Sequence, residues 1–195
     1  MTRTARYKAV YFGMLALGAC SAAALVWYFG PSLPVFLAVI LLLLVPGRVL
    51  GYFWRDLLRG LRLLNLREYA ASKRCSESFL AYYEQQPWIR HLIWLGSGTY
   101  SRNPKAMALN NLGAAEIPLG ETEAARLHLY KSIEIDPLNP LPFHNLSVLA
   151  KAQGDVQEAA RCFEQAKALG FTRGVSDAIV RSSQNRFATL DGRGT

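Results

Sequence analysis

Residues 106–171 carry one short pattern written twice at a spacing of 34 residues. Asn111-Leu112 returns as Asn145-Leu146, Gly120 as Gly154 and Ala125 as Ala159, while the large apolar residues Leu109 and Leu129 return as Phe143 and Phe163. A fixed period with small residues at constant offsets marks a helix-turn-helix unit: the small residues let two helices cross closely, and the larger ones fill the seam. One such unit leaves an apolar face uncovered, so the pattern predicts an all-α chain whose neighbouring units cover one another.

Local signals agree with that period. Gly120-Glu121 and Gly154-Asp155 each end one helix and place an acid at the start of the next, where the helix dipole favours it. Asp136-Pro137 and Asn139-Pro140 are turn signals between units. Pro118 falls near the end of the first helix, where it tightens or kinks the last turn.

The joint pattern resembles the tetratricopeptide repeat (TPR). Repeat 106–139 supplies Leu109, Leu112, Gly113, Gly120, Ala125 and Pro137. Repeat 140–173 supplies Phe143, Leu146, Gly154, Ala159, Phe163 and Ala166, with Ser147 where the first copy has glycine and Leu169-Gly170-Phe171 in place of a closing proline. The resemblance implies a short TPR-type solenoid whose first helices line a concave groove for a protein or peptide partner. Carried onto this sequence, that lining is Asn110, Ala114, Ile117, His144, Val148 and Lys151. Asn111 and Asn145 match a frequent asparagine of the family. Of a carboxylate-gripping cluster only Asn110 and Lys151 are present, which points to a mixed apolar and amide groove.

Three units are the usual minimum for such a stack. Stepping back one period places Tyr82-Tyr83 and Leu95 on helices over about 69–86 and 88–101, a degenerate repeat 72–105 within a domain 69–183. Its second helix is unusually apolar, with Trp88, Ile89, Leu92, Ile93, Trp94 and Leu95 as core or as a patch toward membrane or partner. Residues 175–183 read as a capping helix and 184–195 as a flexible tail.

Ahead of this domain, residues 9–47 contain no charged side chain. A soluble domain draws about a quarter of its residues from the charged set, so this stretch reads as membrane sequence. Residues 9–29 are long enough for one span, and Gly30-Pro31-Ser32-Leu33-Pro34 breaks the helix. A second span over 33–53 must carry Arg48 near its end by snorkelling; a re-entrant segment is the alternative. The expected domain order is a basic terminus 1–8, a two-helix transmembrane hairpin 9–54, a basic helix 48–68 and the repeat domain.

The net charge of +8 has a particular distribution. Arg3, Arg6 and Lys8 precede the apolar segment, and residues 48–74 carry seven basic against two acidic side chains. From Cys75 onward the two signs balance at 12 each. Basic residues flanking both ends of a hairpin place both termini and the repeat domain in the cytoplasm, as for a protein of a bacterial inner membrane. The neutral repeat domain excludes nucleic acid as a partner. Leu17-Gly18-Ala19-Cys20 is similar to a lipoprotein cleavage site, which would make the chain an exported lipoprotein, but Ser21 to Trp27 continues the span instead of opening a polar tether.

Over residues 48–68, Arg48, Arg55, Arg59 and Arg62 fall on one helical line, with Leu50, Leu57, Leu61 and Leu64 opposite. Either this amphipathic helix lies on anionic lipid, or its leucines pack on the repeat domain and its arginines are solvated. No catalytic constellation is present: His91, His128 and His144 are scattered, Cys20, Cys75 and Cys162 lack metal-ligand spacing, and no phosphate-binding glycine loop occurs. No cofactor, metal or small-molecule substrate is expected. The sequence therefore predicts a non-enzymatic membrane-anchored adaptor or scaffold, with a structural or assembly subunit of a membrane complex as its rival.

Overall fold

The computed structural model of the chain describes residues 3–30, 32–86, 88–89, 91–92, 101 and 103–171, without the side chains of residues 3–12, 14–15, 25 and 42–47. Among the described residues the regular elements are helices and no strand occurs. They are α1 (Arg3–Phe29), α2 (Leu33–Phe53), α3 (Arg55–Asn65), α4 (Tyr69–Gln85), α5 (Pro104–Leu119), α6 (Thr122–Ile135), α7 (Pro140–Ala152) and α8 (Val156–Ala168). The chain divides into two compact units, residues 1–55 with 91–99 and residues 56–90 with 100–195.

The first unit is a helical hairpin. Gly30 sits at φ +74, a region that favours glycine, and turns the chain between α1 and α2. α2 then starts beyond Ser32 with a proline in its first turn, where the missing N–H costs nothing. It runs unbroken through Pro46, Gly47 and Arg48 to Phe53. An open apolar cleft of about 590 Å³ lies between the helices, lined by Ala22, Ala23, Val26, Trp27, Phe36 and Val39. Ala22 and Trp54 are the buried apolar side chains among those described in this unit, whereas Leu17, Trp27, Tyr28, Phe29, Leu33, Leu37 and Leu41 are exposed. Among the described residues no helix is long and apolar enough to cross a membrane. Leu42 to Val45, the centre of the second apolar run, fall among the side chains outside that description.

The basic helix expected over 48–68 is two pieces. α2 closes with the Trp54 amide donating to the Leu50 carbonyl at 2.9 Å, and α3 begins at Arg55. Arg48 thus belongs to the hairpin and does not share a helix with Arg55, Arg59 and Arg62. The break coincides with burial of the Trp54 ring.

In the second unit, α5 is central, with residues 108–118 buried throughout. Asn103 caps it by accepting from the Lys105 amide at 2.9 Å, with Pro104 in the first turn. Asn139 and Pro140 do the same for α7, where the Asn139 side chain accepts from the Leu141 amide at 3.2 Å. α5 crosses α6 closely at Gly113, where an added Cβ would lie 2.7 Å from Leu129 Cγ and 3.0 Å from the Ala125 carbonyl oxygen. The Ser132 hydroxyl locks that crossing by donating to the Ala106 carbonyl at 2.7 Å. Gly120 and Gly154, at φ +81 and +82, end α5 and follow α7, and the next amides close the same turn: Glu121 donates to Glu116 O at 3.1 Å, Asp155 to Ala150 O at 3.0 Å. Gly170 at φ +94 repeats the device after α8.

The expected acids behave differently at these turns. Asp155 caps α8 by accepting from the Glu158 amide at 2.9 Å, whereas Glu121 makes no cap and pairs instead with Lys73 of α4. The expected helix over 88–101 lies mostly outside the described residues. Its described start, Trp88–Ile89 and His91–Leu92, forms 3₁₀ turns with Ile89 buried and Trp88 exposed. The capping helix 175–183 and tail 184–195 also lie outside the described residues.

Candidate interaction surface

The groove positions come together in space but are not open. Asn110, Ala114, Ile117, His144 and Val148 are all buried, and Lys151 alone of the six is exposed. Each buried position has a reason within the chain. Ala114 and Ala115 pack against Leu64 of α3 and Tyr69 of α4. Ile117 and Val148 belong to the core with Ala125, Leu129, Leu146, Leu149 and Cys162. The Asn110 side-chain oxygen Oδ1 accepts from Asn145 Nδ2 at 2.8 Å, which ties α5 to α7. The His144 ring stacks on Phe171 with centroids 4.3 Å apart. An open peptide groove over these residues is therefore corrected to a self-filled seam: α3 and the residue following the α8 turn occupy what the repeat pattern alone leaves bare.

Leu112, Gly113, Ala125 and Leu146 are buried, Ala159 is half-buried, and Gly120, Gly154 and Pro137 lie at exposed turns.

α3 settles which of its faces is used inward. Leu57, Gly60 and Leu64 are buried, the Ser72 hydroxyl donates to the Gly60 carbonyl at 2.8 Å, and a Cβ at Gly60 would meet Ser76 Oγ at 3.3 Å. Leu61, expected on the same apolar stripe, is 40 % exposed. Arg55, Arg59 and Arg62 point outward and are exposed.

One polar arrangement escaped the sequence reading. Glu116 of α5 is buried and its Oε2 lies 2.8 Å from Nδ1 of His128 on α6. Burial raises the Glu116 carboxyl above its ordinary 4.5, opposed by the His128 hydrogen bond and by Lys73. Lys73 is in turn raised above 10.5, chiefly by its hydrogen bond to Glu121. The group joins α4, α5 and α6 through the Lys73–Glu121 and His128–Glu116 pairs. The signal that marked it was an acid within the apolar stretch Leu112–Ile117, one position from the small residues of the seam. At the equivalent place in the second unit stand Ala150 and Cys162, 34 residues on. The Cys162 thiol is pushed up to about 11 by burial and by Glu158, so it is neutral and inert at ordinary pH.

Among the described residues no group of three or more His, Cys, Asp or Glu side chains is placed to hold a metal ion. Among the described residues the chain is helical throughout its regular elements, with one unit a hairpin that exposes apolar side chains and the other a set of packed helix pairs. Neither a family model, nor a characterised protein, nor a solved structure matches this chain.

Proposed function

We propose that the protein is a membrane-anchored TPR-type scaffold: the hairpin enters the bilayer, and the helical body displays a binding surface on the cytoplasmic side. The observation that carries this reading is the contrast in the hairpin between its charge-free sequence over residues 9–47 and the outward exposure of Trp27, Tyr28, Leu33, Leu37 and Leu41. Apolar surface on that scale needs a non-aqueous partner. Residues 9–29 and 33–53 have the length for two spans, and Trp27-Tyr28 suit a membrane interface. Confinement to the bilayer raises the effective concentration for partners held there, so a body of modest affinity suffices.

A second reading has its own support. Because five of the six groove positions are buried, the hairpin offers more free apolar surface than the body does. That favours an assembly subunit whose hairpin makes the main protein contacts. Co-purification separates the two: Lys151→Glu removes partners from the scaffold, whereas joint replacement of Trp27, Leu37 and Leu41 by alanine removes them from the assembly subunit.

Topology tests the anchor itself. In intact cells, an impermeant thiol reagent should label Ser32→Cys in the turn of the hairpin. It should leave a cysteine placed at Thr195 unlabelled until the membrane is opened. Labelling at Thr195→Cys in intact cells contradicts a cytoplasmic body and favours the exported lipoprotein.

A further inference from the structure

We propose that the outward face of α3 docks on an anionic lipid surface, an inference that rests on the hairpin entering the same bilayer. The inward face of this helix is already committed, with Leu57 and Leu64 buried and Gly60 held to Ser72. On the opposite side Arg55, Arg59 and Arg62 fall within roughly 40° of one line at 3.6 residues per turn. Beside that row, on one flank, lie Leu58 and Leu61, 43 % and 40 % exposed. The one acid of the helix, Asp56, sits on the other flank, where its carboxylate accepts from the Ser78 hydroxyl at 3.1 Å. The outward side therefore carries three cations, with two leucines on one flank and Asp56, held by the Ser78 hydroxyl, on the other.

A row of arginines with a parallel row of leucines fits a phosphate layer over hydrocarbon. The guanidinium groups take headgroup phosphates and the two leucines enter the acyl boundary beneath them. Leu58 and Leu61 alone bury too little to hold a neutral bilayer, so the strip selects anionic lipid. Continuity points to the same occupant. Only Trp54 stands between the last residue of α2 and the first of α3, so α3 is presented to the headgroups at high effective concentration. Nucleic acid would use a broader basic face, and beyond Arg74 the chain is balanced in charge. Since Ser72 and Gly60 fasten α3 to α4, docking α3 fixes the face that the body turns to the membrane.

The test uses the full chain, with Cys20, Cys75 and Cys162 replaced by serine, reconstituted in lipid discs of phosphatidylcholine with or without phosphatidylglycerol. A fluorophore on Leu58→Cys or Leu61→Cys reports quenching by brominated acyl chains, and Leu127→Cys on the exposed side of α6 serves as control. Both α3 labels should be quenched in phosphatidylglycerol discs, with the control unquenched. Quenching should fall in phosphatidylcholine alone and at high salt. Replacing Arg55, Arg59 and Arg62 by glutamine should lower the docked-to-free ratio about a hundredfold. α3 labels that match the control in phosphatidylglycerol discs overturn the inference while leaving the hairpin reading intact. Quenching indifferent to lipid charge and to the arginines also overturns it, as does protection of the labels by added nucleic acid or acidic protein in place of lipid. A chain that does not enter the discs at all overturns both.

Discussion

The hairpin and the body use the same secondary structure to opposite ends. In α1 and α2 the glycines Gly13, Gly18 and Gly51 have nothing within 4 Å of a would-be Cβ, and among the described side chains Leu17, Trp27, Phe29, Leu37 and Leu41 are exposed. In the body, Gly113 and Gly60 sit against neighbouring helices, and Leu57, Phe79, Ile117 and Leu129 are buried. Helix content therefore says little about what a segment is for; the direction of its apolar side chains says more. A segment that turns them outward depends on what surrounds it, and one that turns them inward carries its own stability.

The strongest way to break this contrast is to exchange glycines for larger residues in both units and follow denaturation in detergent. Gly113→Val should destabilise the body by about 3 kcal/mol through overpacking against Leu129 and the Ala125 carbonyl, well above the roughly 1 kcal/mol that leaving glycine returns in a helix. Gly18→Ala should not destabilise and should gain up to about 1 kcal/mol, because nothing lies near its Cβ to offset the helix preference of alanine. Equal effects at the two sites would remove the distinction.

Next in size is the bond between the two helix pairs. Asn110→Ala strands the buried Asn145 amide and should cost about 2 kcal/mol, measured by denaturant midpoint. The double change Asn110→Ala with Asn145→Leu should recover much of that, since replacing both partners leaves no orphan.

Acidity separates the interior of the body from its surface. The Glu116 carboxyl is raised in the folded state by burial, so the unfolded chain releases that proton first and stability falls as pH rises from 4.5 through the raised folded value. The Glu158 carboxyl is lowered to about 2, chiefly by Arg161, so its contribution is present above 4.5 and is lost as pH falls toward 2. Glu116→Gln should flatten the loss on raising pH. Glu158→Gln should flatten the acid limb by a smaller amount, because its exposed pair is screened by water. Melting temperature against pH reads both slopes.

The smallest expected effect is at the α3–α4 turn, where Arg67 takes φ +65 in the position that glycine fills at the other turns. Arg67→Gly should stabilise the body by about 1 kcal/mol on relief of that conformation. No gain in the midpoint would mean that the arginine side chain holds the turn by contacts of comparable worth.

What the sequence disclosed followed range. The period and the turns at Gly120, Gly154 and Gly170 were legible because each is a local backbone requirement. The hairpin turn at Gly30 was legible for the same reason. The Asn103-Pro104 cap is the twin of Asn139-Pro140, but at a spacing of 36 it falls outside the 34-residue period. The groove was misjudged because openness is not local. Ala114 is covered by Leu64 and Tyr69 from well upstream, and His144 by Phe171 from beyond the following helix. The single basic helix over 48–68 is divided at Trp54, a residue whose burial no helical period signals. Glu116 and His128 are 12 residues apart, and only the close crossing of α5 and α6 brings them to 2.8 Å.

The central claim is that the hairpin, not the body, decides where this protein resides. Extraction of membranes that contain the full chain with alkaline carbonate, and then with detergent, tests it most directly. The account predicts that the chain stays with the carbonate-washed membrane and is released only by detergent, and that replacing Leu37, Ile40 and Leu41 by aspartate frees it into the wash. Release of the unaltered chain by carbonate alone would contradict the claim.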